Sequence, residues 1–146
     1  MFDIAFISAE PEVQEEGWFG LWGEIVLGAY RERFLAPLDV WSRRDYEHQW
    51  IEAANRLVAG EQRTAFVTVA RQFWWTMWRE KEAVFVHEEM LTPERFARSH
   101  GDRVPYRLIE DRRTENEEGE PISEWRVSVA DIRDFVERRA GQYVPA

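Results

Sequence analysis

"RQFWWTMWREKEAVFVHEEM", residues 71–90, decides the fold. It sets Trp74, Trp75 and Trp78 with Phe73 and Phe85 beside a run of charges. Gln72 to Trp78 and Ala83 to Met90 read as two strands, and the short charged joint between them reads as a hairpin turn. Successive side chains on a strand point to opposite faces, so Phe73, Trp75 and Met77 share one face and Trp74, Thr76 and Trp78 the other. Both faces are apolar, whereas a sheet with one wet face alternates with polar residues. Three readings follow: a strand covered on both sides as core, a face that meets another protein, or an aromatic pocket near Trp74, Trp75 and Trp78 that serves a small-ligand binder or an enzyme.

The chain around the hairpin reads as an α+β domain. Phe2, Ile4 and Phe6 alternate, which predicts an opening strand. A polar loop with Pro11 and Gly17 follows. Gly20, Gly23 and Gly28 disfavour helix and predict strands over 21–27 and about 29–35. Ser42 precedes Asp45 by three residues, the pattern of a capping box. Apolar residues then recur at helical spacing through Tyr46, Trp50, Ala53, Ala54, Leu57 and Val58, with Gly60 placed for a left-handed cap, so a helix is expected over about 43–59. "RTAFVTVA" is rich in β-branched residues and reads as a strand. Thr92, Pro93 and Gly101 bracket a short helix. Residues 104–128 read as two strands around an acidic loop. Ser128 and Asp131 repeat the capping box and open a last helix that Gly141 ends, with the final five residues frayed. The expectation is one domain over 1–146, a mostly antiparallel sheet of about six strands, and two to three helices.

Composition excludes several functions. The 146 residues hold no cysteine, which removes disulfides, thiolate metal sites and cysteine nucleophiles. The net charge is −9, and Lys81 is the single lysine among otherwise arginine cations. Phosphate-backbone binding needs clustered cations, so nucleic acid is not expected as a ligand. An acidic chain favours cationic partners and speeds encounter with them. The opening "MFDIAFISAEPE" lacks a basic region and a long apolar run, and no stretch approaches the ~20 apolar residues of a membrane span, so a cytoplasmic protein is expected.

No catalytic pattern emerges. His48, His87 and His100 show no metal spacing and read as ordinary surface or edge residues. The glycines around Trp22 match no phosphate loop, and no serine sits in a nucleophile elbow. Neither a metal nor a cofactor is expected. The strongest charge feature is "RRTENEEGEP", which places Glu115, Glu117, Glu118 and Glu120 on a hairpin tip. It is either a solvated tip or a patch that receives the cations of a partner. Glu88 and Glu89 add to it from the strand after the aromatic run, and Trp78 is the candidate aromatic contact.

Two stretches, residues 23–68 and 113–139, together resemble the CdiI-type immunity proteins of contact-dependent growth inhibition systems. The shared features are F-x-x-P-L-x-x-W at Phe34 to Trp41, D-Y-x-x-Q-W at Asp45 to Trp50, and I-S-E-W at Ile122 to Trp125. Residues 69–112 depart most from that pattern. The resemblance implies a cytoplasmic, non-enzymatic protein that binds one toxin domain, such as a nuclease, and blocks its active site or substrate entry. It carries over no catalytic residues. The matching Pro37, Trp41, Trp50 and Trp125 look like scaffold. A small-ligand binder or a homo-oligomeric interaction protein, joined through an exposed hairpin edge, are the alternatives, with a monomer or weak homodimer as the expected state.

Overall fold

The structure is a computed structural model and describes residues 1–13, 19–98 and 103–143. Gly17, His100 and Gly101 lie outside the described residues, as does the stretch 144–146.

The described elements run β1 (Phe2–Phe6), β2 (Glu12–Val13), β3 (Phe19–Leu27), β4 (Tyr30–Pro37), α1 (Arg43–Val58), β5 (Arg63–Val69), β6 (Phe73–Glu80), β7 (Ala83–Met90), α2 (Pro93–Ala97), β8 (Trp125–Ser128) and α3 (Val129–Arg139). They form an α+β fold with two antiparallel four-stranded sheets. In the first, β3 is central, β4 runs along one side, and β1 and β2 lie end to end along the other. The second has the order β5-β6-β7-β8. The described residues form eight strands rather than about six, and two sheets rather than one. The count rises partly because β2 is a two-residue strand that no hydrophobic alternation announces.

Local chemistry sets these boundaries. Gly28 has φ +66° in the turn between β3 and β4, a backbone region open to glycine. Gly23 lies opposite Phe34, and a Cβ there would stand 2.4 Å from the Phe34 ring. Ser42 and Asp45 form the full capping box at the start of α1, and Ser128 and Asp131 repeat it for α3. Each such cap contributes about 1 kcal/mol.

The aromatic hairpin is core. Trp74 and Trp75 are 0% and 1% exposed. Trp75 packs against Trp125, and Phe66 of the same face meets Phe2 of the other sheet at 5.2 Å. The opposite face is covered from outside the sheet: the Arg95 guanidinium sits over Trp74, and Trp78 Nε1 donates to the Glu110 carbonyl at 2.9 Å. The pocket expected near these rings is therefore filled. β5 flanks β6 along its length, and β8 flanks β7 over Ala83–Val86, so that part of the hairpin is no edge.

Residues 103–124 depart from the two strands expected across 104–128. Only β8 forms a ladder, with a 3-10 turn at Tyr106–Leu108 and a single bridge between Glu115 and Pro121. The segment acts as a strap over the sheet, and side chains satisfy part of its backbone: Arg63 donates to the Ile109 carbonyl and Arg95 to that of Leu108. The C-terminal segment is docked rather than frayed as far as Tyr143, which is buried and donates its hydroxyl to the Ile4 carbonyl.

Helix α1 joins the two sheets. Trp50 is fully buried against Phe6, Phe34, Tyr46 and Tyr143. Its Nε1 donates to the Val67 carbonyl at 2.7 Å. Gln49 donates to the Ala65 carbonyl and accepts from the Val67 N–H, at 2.7 and 2.8 Å. Trp50→Ala removes a fully packed ring, so urea unfolding is expected to show a loss of about 3–5 kcal/mol. Gln49→Leu keeps the volume but strands two buried backbone groups, and a loss of about 1–3 kcal/mol is expected.

Candidate partner-binding surface

The acidic tip is built on a rigid stem. Asn116 Oδ1 accepts from the N–H groups of Glu118 and Glu120, both at 2.9 Å. The Asn116 N–H donates to the Glu120 carbonyl at 2.8 Å, and Gly119 takes φ +80° to close the turn. Asparagine and glycine suit this turn because one bonds its own backbone and the other accepts positive φ. The result carries Glu115, Glu117, Glu118 and Glu120 together, all exposed.

Below the tip, Arg112 clamps the stem to the sheet. Its Nε and Nη2 donate to the two oxygens of Glu124 at 2.7 and 2.5 Å. Its guanidinium also lies 3.7 Å from the Phe85 ring centroid. Glu124 Oε2 in turn meets His87 Nε2 at 2.7 Å. The Arg112 hydrogen bond holds the Glu124 carboxyl below its ordinary range, with His87 as a lesser contributor. His87 is buried against the edge of Trp78, so it is not the surface or edge residue expected from the sequence. It completes an Arg–Glu–His network that spacing alone does not reveal.

The remaining sequence-derived residues separate. Strand alternation sends Glu88 and Glu89 to opposite faces of β7. Glu89 pairs with Arg95 at 3.0 Å. Glu88 lies opposite Trp75 and meets Glu32 of β4, a residue the sequence reading missed. Trp78 lies buried beneath the strap. The cleft beside Trp78 and His87 has a volume of about 110 Å³, small against the ~300 Å³ of an ordinary ligand pocket. Among the described residues, no cluster of three or more His, Asp or Glu is arranged to hold a metal ion. No described helix is long and apolar enough to cross a membrane.

The family model for the CdiI N-terminal domain matches residues 36–135. The chain belongs to that family. The likeness reaches beyond those residues to almost the whole chain: it is 27% identical to the immunity protein CdiI of Enterobacter cloacae subsp. cloacae over 142 residues, covering 92% of this chain and 96% of that protein. A chain of the solved CdiA-CT/CdiI toxin and immunity complex from Enterobacter cloacae superposes with a TM-score of 0.82 at 26% identity. That superposition covers 97% of this chain and 99% of the other. The CdiI resemblance seen in the sequence is thus confirmed, and the match includes residues 69–112, the part that departs most from the sequence pattern.

Partial loss of hydration first, and then the like charge of Glu32 hydrogen-bonded to it, raise the carboxyl of the still exposed Glu88 from 4.5 to about 7. The folded protein then binds this proton more tightly than the unfolded chain, so the Glu88 contribution to stability falls as pH rises from 4.5 toward about 7. Glu88→Gln is expected to raise the urea midpoint at about pH 8 and leave it unchanged at about pH 4. A difference that stays constant between those two conditions contradicts the assignment.

Proposed function

We propose that this CdiI-family chain is an immunity protein: it binds a cognate toxin domain of the CdiA-CT kind and neutralises it by occupying the toxin's active site. The observation that carries this reading is the near end-to-end superposition on a chain of a toxin and immunity complex. The chain works by binding and performs no bond-making. Its place of action is the cytoplasm of the cell it protects.

The acidic tip supplies a physical route to the complex. Glu115, Glu117, Glu118 and Glu120 project together into solvent on a turn fixed by its own hydrogen bonds. Such a group raises the encounter rate with a cationic surface, and a pre-ordered turn loses little entropy on docking. A nuclease toxin offers a surface of that sign, because its substrate is a polyanion. Glu88 and Glu89 of β7 contribute less, because Glu89 pairs with Arg95 and the Glu88 carboxyl is raised to about 7. Trp78 serves the complex from beneath, by holding the strap that carries the tip.

Stopped-flow mixing with the toxin domain encoded beside this chain tests both parts. Neutralising the tip with Glu115→Gln, Glu117→Gln, Glu118→Gln and Glu120→Gln together is expected to slow association by about tenfold or more at low salt, within the range of electrostatic steering. The salt dependence of the rate is expected to flatten as well. An unchanged rate removes the tip from the encounter surface. Failure of the unaltered chain to bind that toxin, or to protect cells that express it, removes the immunity reading itself.

A further inference from the structure

A depression of about 760 Å³ opens between the C-terminal end of α1, the turn after it and the 3-10 turn at Tyr106–Leu108. Its lining reverses the polarity of the chain as a whole. Arg56, Arg63 and Arg107 contribute to it, with Glu61 the one acid in the lining and Asp111 paired with Arg63 beside it, in a protein whose net charge is −9. Arginine clustering of this kind is unexpected on an acidic surface, and nothing in the immunity reading uses it.

Two of the three guanidinium groups are tethered by the fold. Arg63 Nη1 donates to the Ile109 carbonyl at 2.7 Å, and Nη2 pairs with Asp111. Arg107 Nη2 donates to the Arg98 carbonyl at 2.7 Å. Arg56 is held differently. Its guanidinium stacks 4.0 Å from the Tyr106 ring centroid, and its Nε is buried with no hydrogen-bond partner. The Nε is closed to solvent, so a ligand in the depression meets Arg56 through its outer guanidinium nitrogens. Stacking on Tyr106 also fixes the plane of the donor fork, which suits the planar or trigonal oxygen pairs of carboxylate and phosphate better than a spherical halide.

We infer that this depression is an oxyanion-binding site, with Arg56 as the main donor and Arg63 and Arg107 as flanking charges. It takes one carboxylate or phosphate group. A polyanion is disfavoured by the neighbouring depression of about 440 Å³, which shares Val104 and Tyr106 but carries Glu52 and an Asp45 paired with Arg103. Tyr106 forms the divide: Arg56 covers its ring, while its hydroxyl donates to Glu52 at 2.7 Å. Charges farther than about 8–10 Å are screened at physiological salt, so the local arginines outweigh the net negative charge.

The test is a titration of the whole protein with sodium phosphate, and separately with acetate, at constant ionic strength against sodium chloride. The readout is the arginine side-chain Nε–Hε signals in nitrogen-15 spectra. The expected result is a saturable shift of the Arg56 signal that chloride does not produce. R56Q is expected to weaken binding by about tenfold or more, the scale of one lost charge-assisted contact. R33Q, on the exposed face of β4, is expected to leave binding unchanged. Should R56Q unfold, R63Q replaces it, and the wild-type titration still decides. A drift that never saturates, that the Arg33 signal shares, or that survives R56Q overturns the site. Repeating the phosphate titration on the complex with the cognate toxin separates the sources: a protected site means that the toxin supplies the carboxylate, and an open one means a free small oxyanion. The titration of the free chain does not depend on the immunity reading and stands or falls apart from it.

Discussion

The seam between α1 and β5 is the constraint on which the rest depends. A sheet edge presents unpaired N–H and C=O groups, and burying them without partners is costly. Here Gln49 stands in for an adjoining strand, giving a donor to Ala65 and taking one from Val67, while Trp50 caps the next carbonyl. Tyr46 continues the seam by accepting from the Ala70 N–H and donating to the Pro37 carbonyl. Three side chains from neighbouring turns of one helix thus tie β4, at the end of the first sheet, to β5, at the start of the second. With that seam in place, the rings of Phe6, Phe34 and Tyr143 close around Trp50.

The opposite edge of the assembly follows the same logic with ionic groups. Asp3 on β1 accepts from Arg139 through both oxygens, at 2.9 and 2.6 Å. Arg138 donates to the Phe2 carbonyl and Tyr143 to that of Ile4. Asp3 keeps little exposure, so this pairing is less diluted by solvent than the surface ion pairs. The effect is that the first strand and the last helix, far apart in sequence, hold one another.

Most of the framework was legible because its signals are local. Two capping boxes, Pro93 at a helix start, the β-branched run of β5 and the two-faced apolar β6 all describe short-range chemistry, and the structure keeps each of them. The strap was not legible. Its residues lack alternation because they lie flat on the sheet, held by Trp78, Arg63 and Arg95 from elsewhere in the chain and by their own Arg112 over Phe85. His87 looked ordinary for the same reason: its partner Glu124 is 37 positions away. The acidic tip was visible as composition, whereas the contacts of Glu88 with Glu32 and of Glu89 with Arg95 follow only from the fold. The arginine-lined depression left no trace in the sequence, since Arg56, Arg63 and Arg107 come from three separate segments.

The sealed flanks of β1 and β5 also limit how this molecule can be changed. With those two borders occupied by its own side chains, another chain cannot join there by extending the ladder. Elsewhere, groups that stand out from the surface, such as the glutamates of the tip, can be exchanged one at a time without disturbing the scaffold. The surface of this fold can therefore vary while the framework beneath it stays the same.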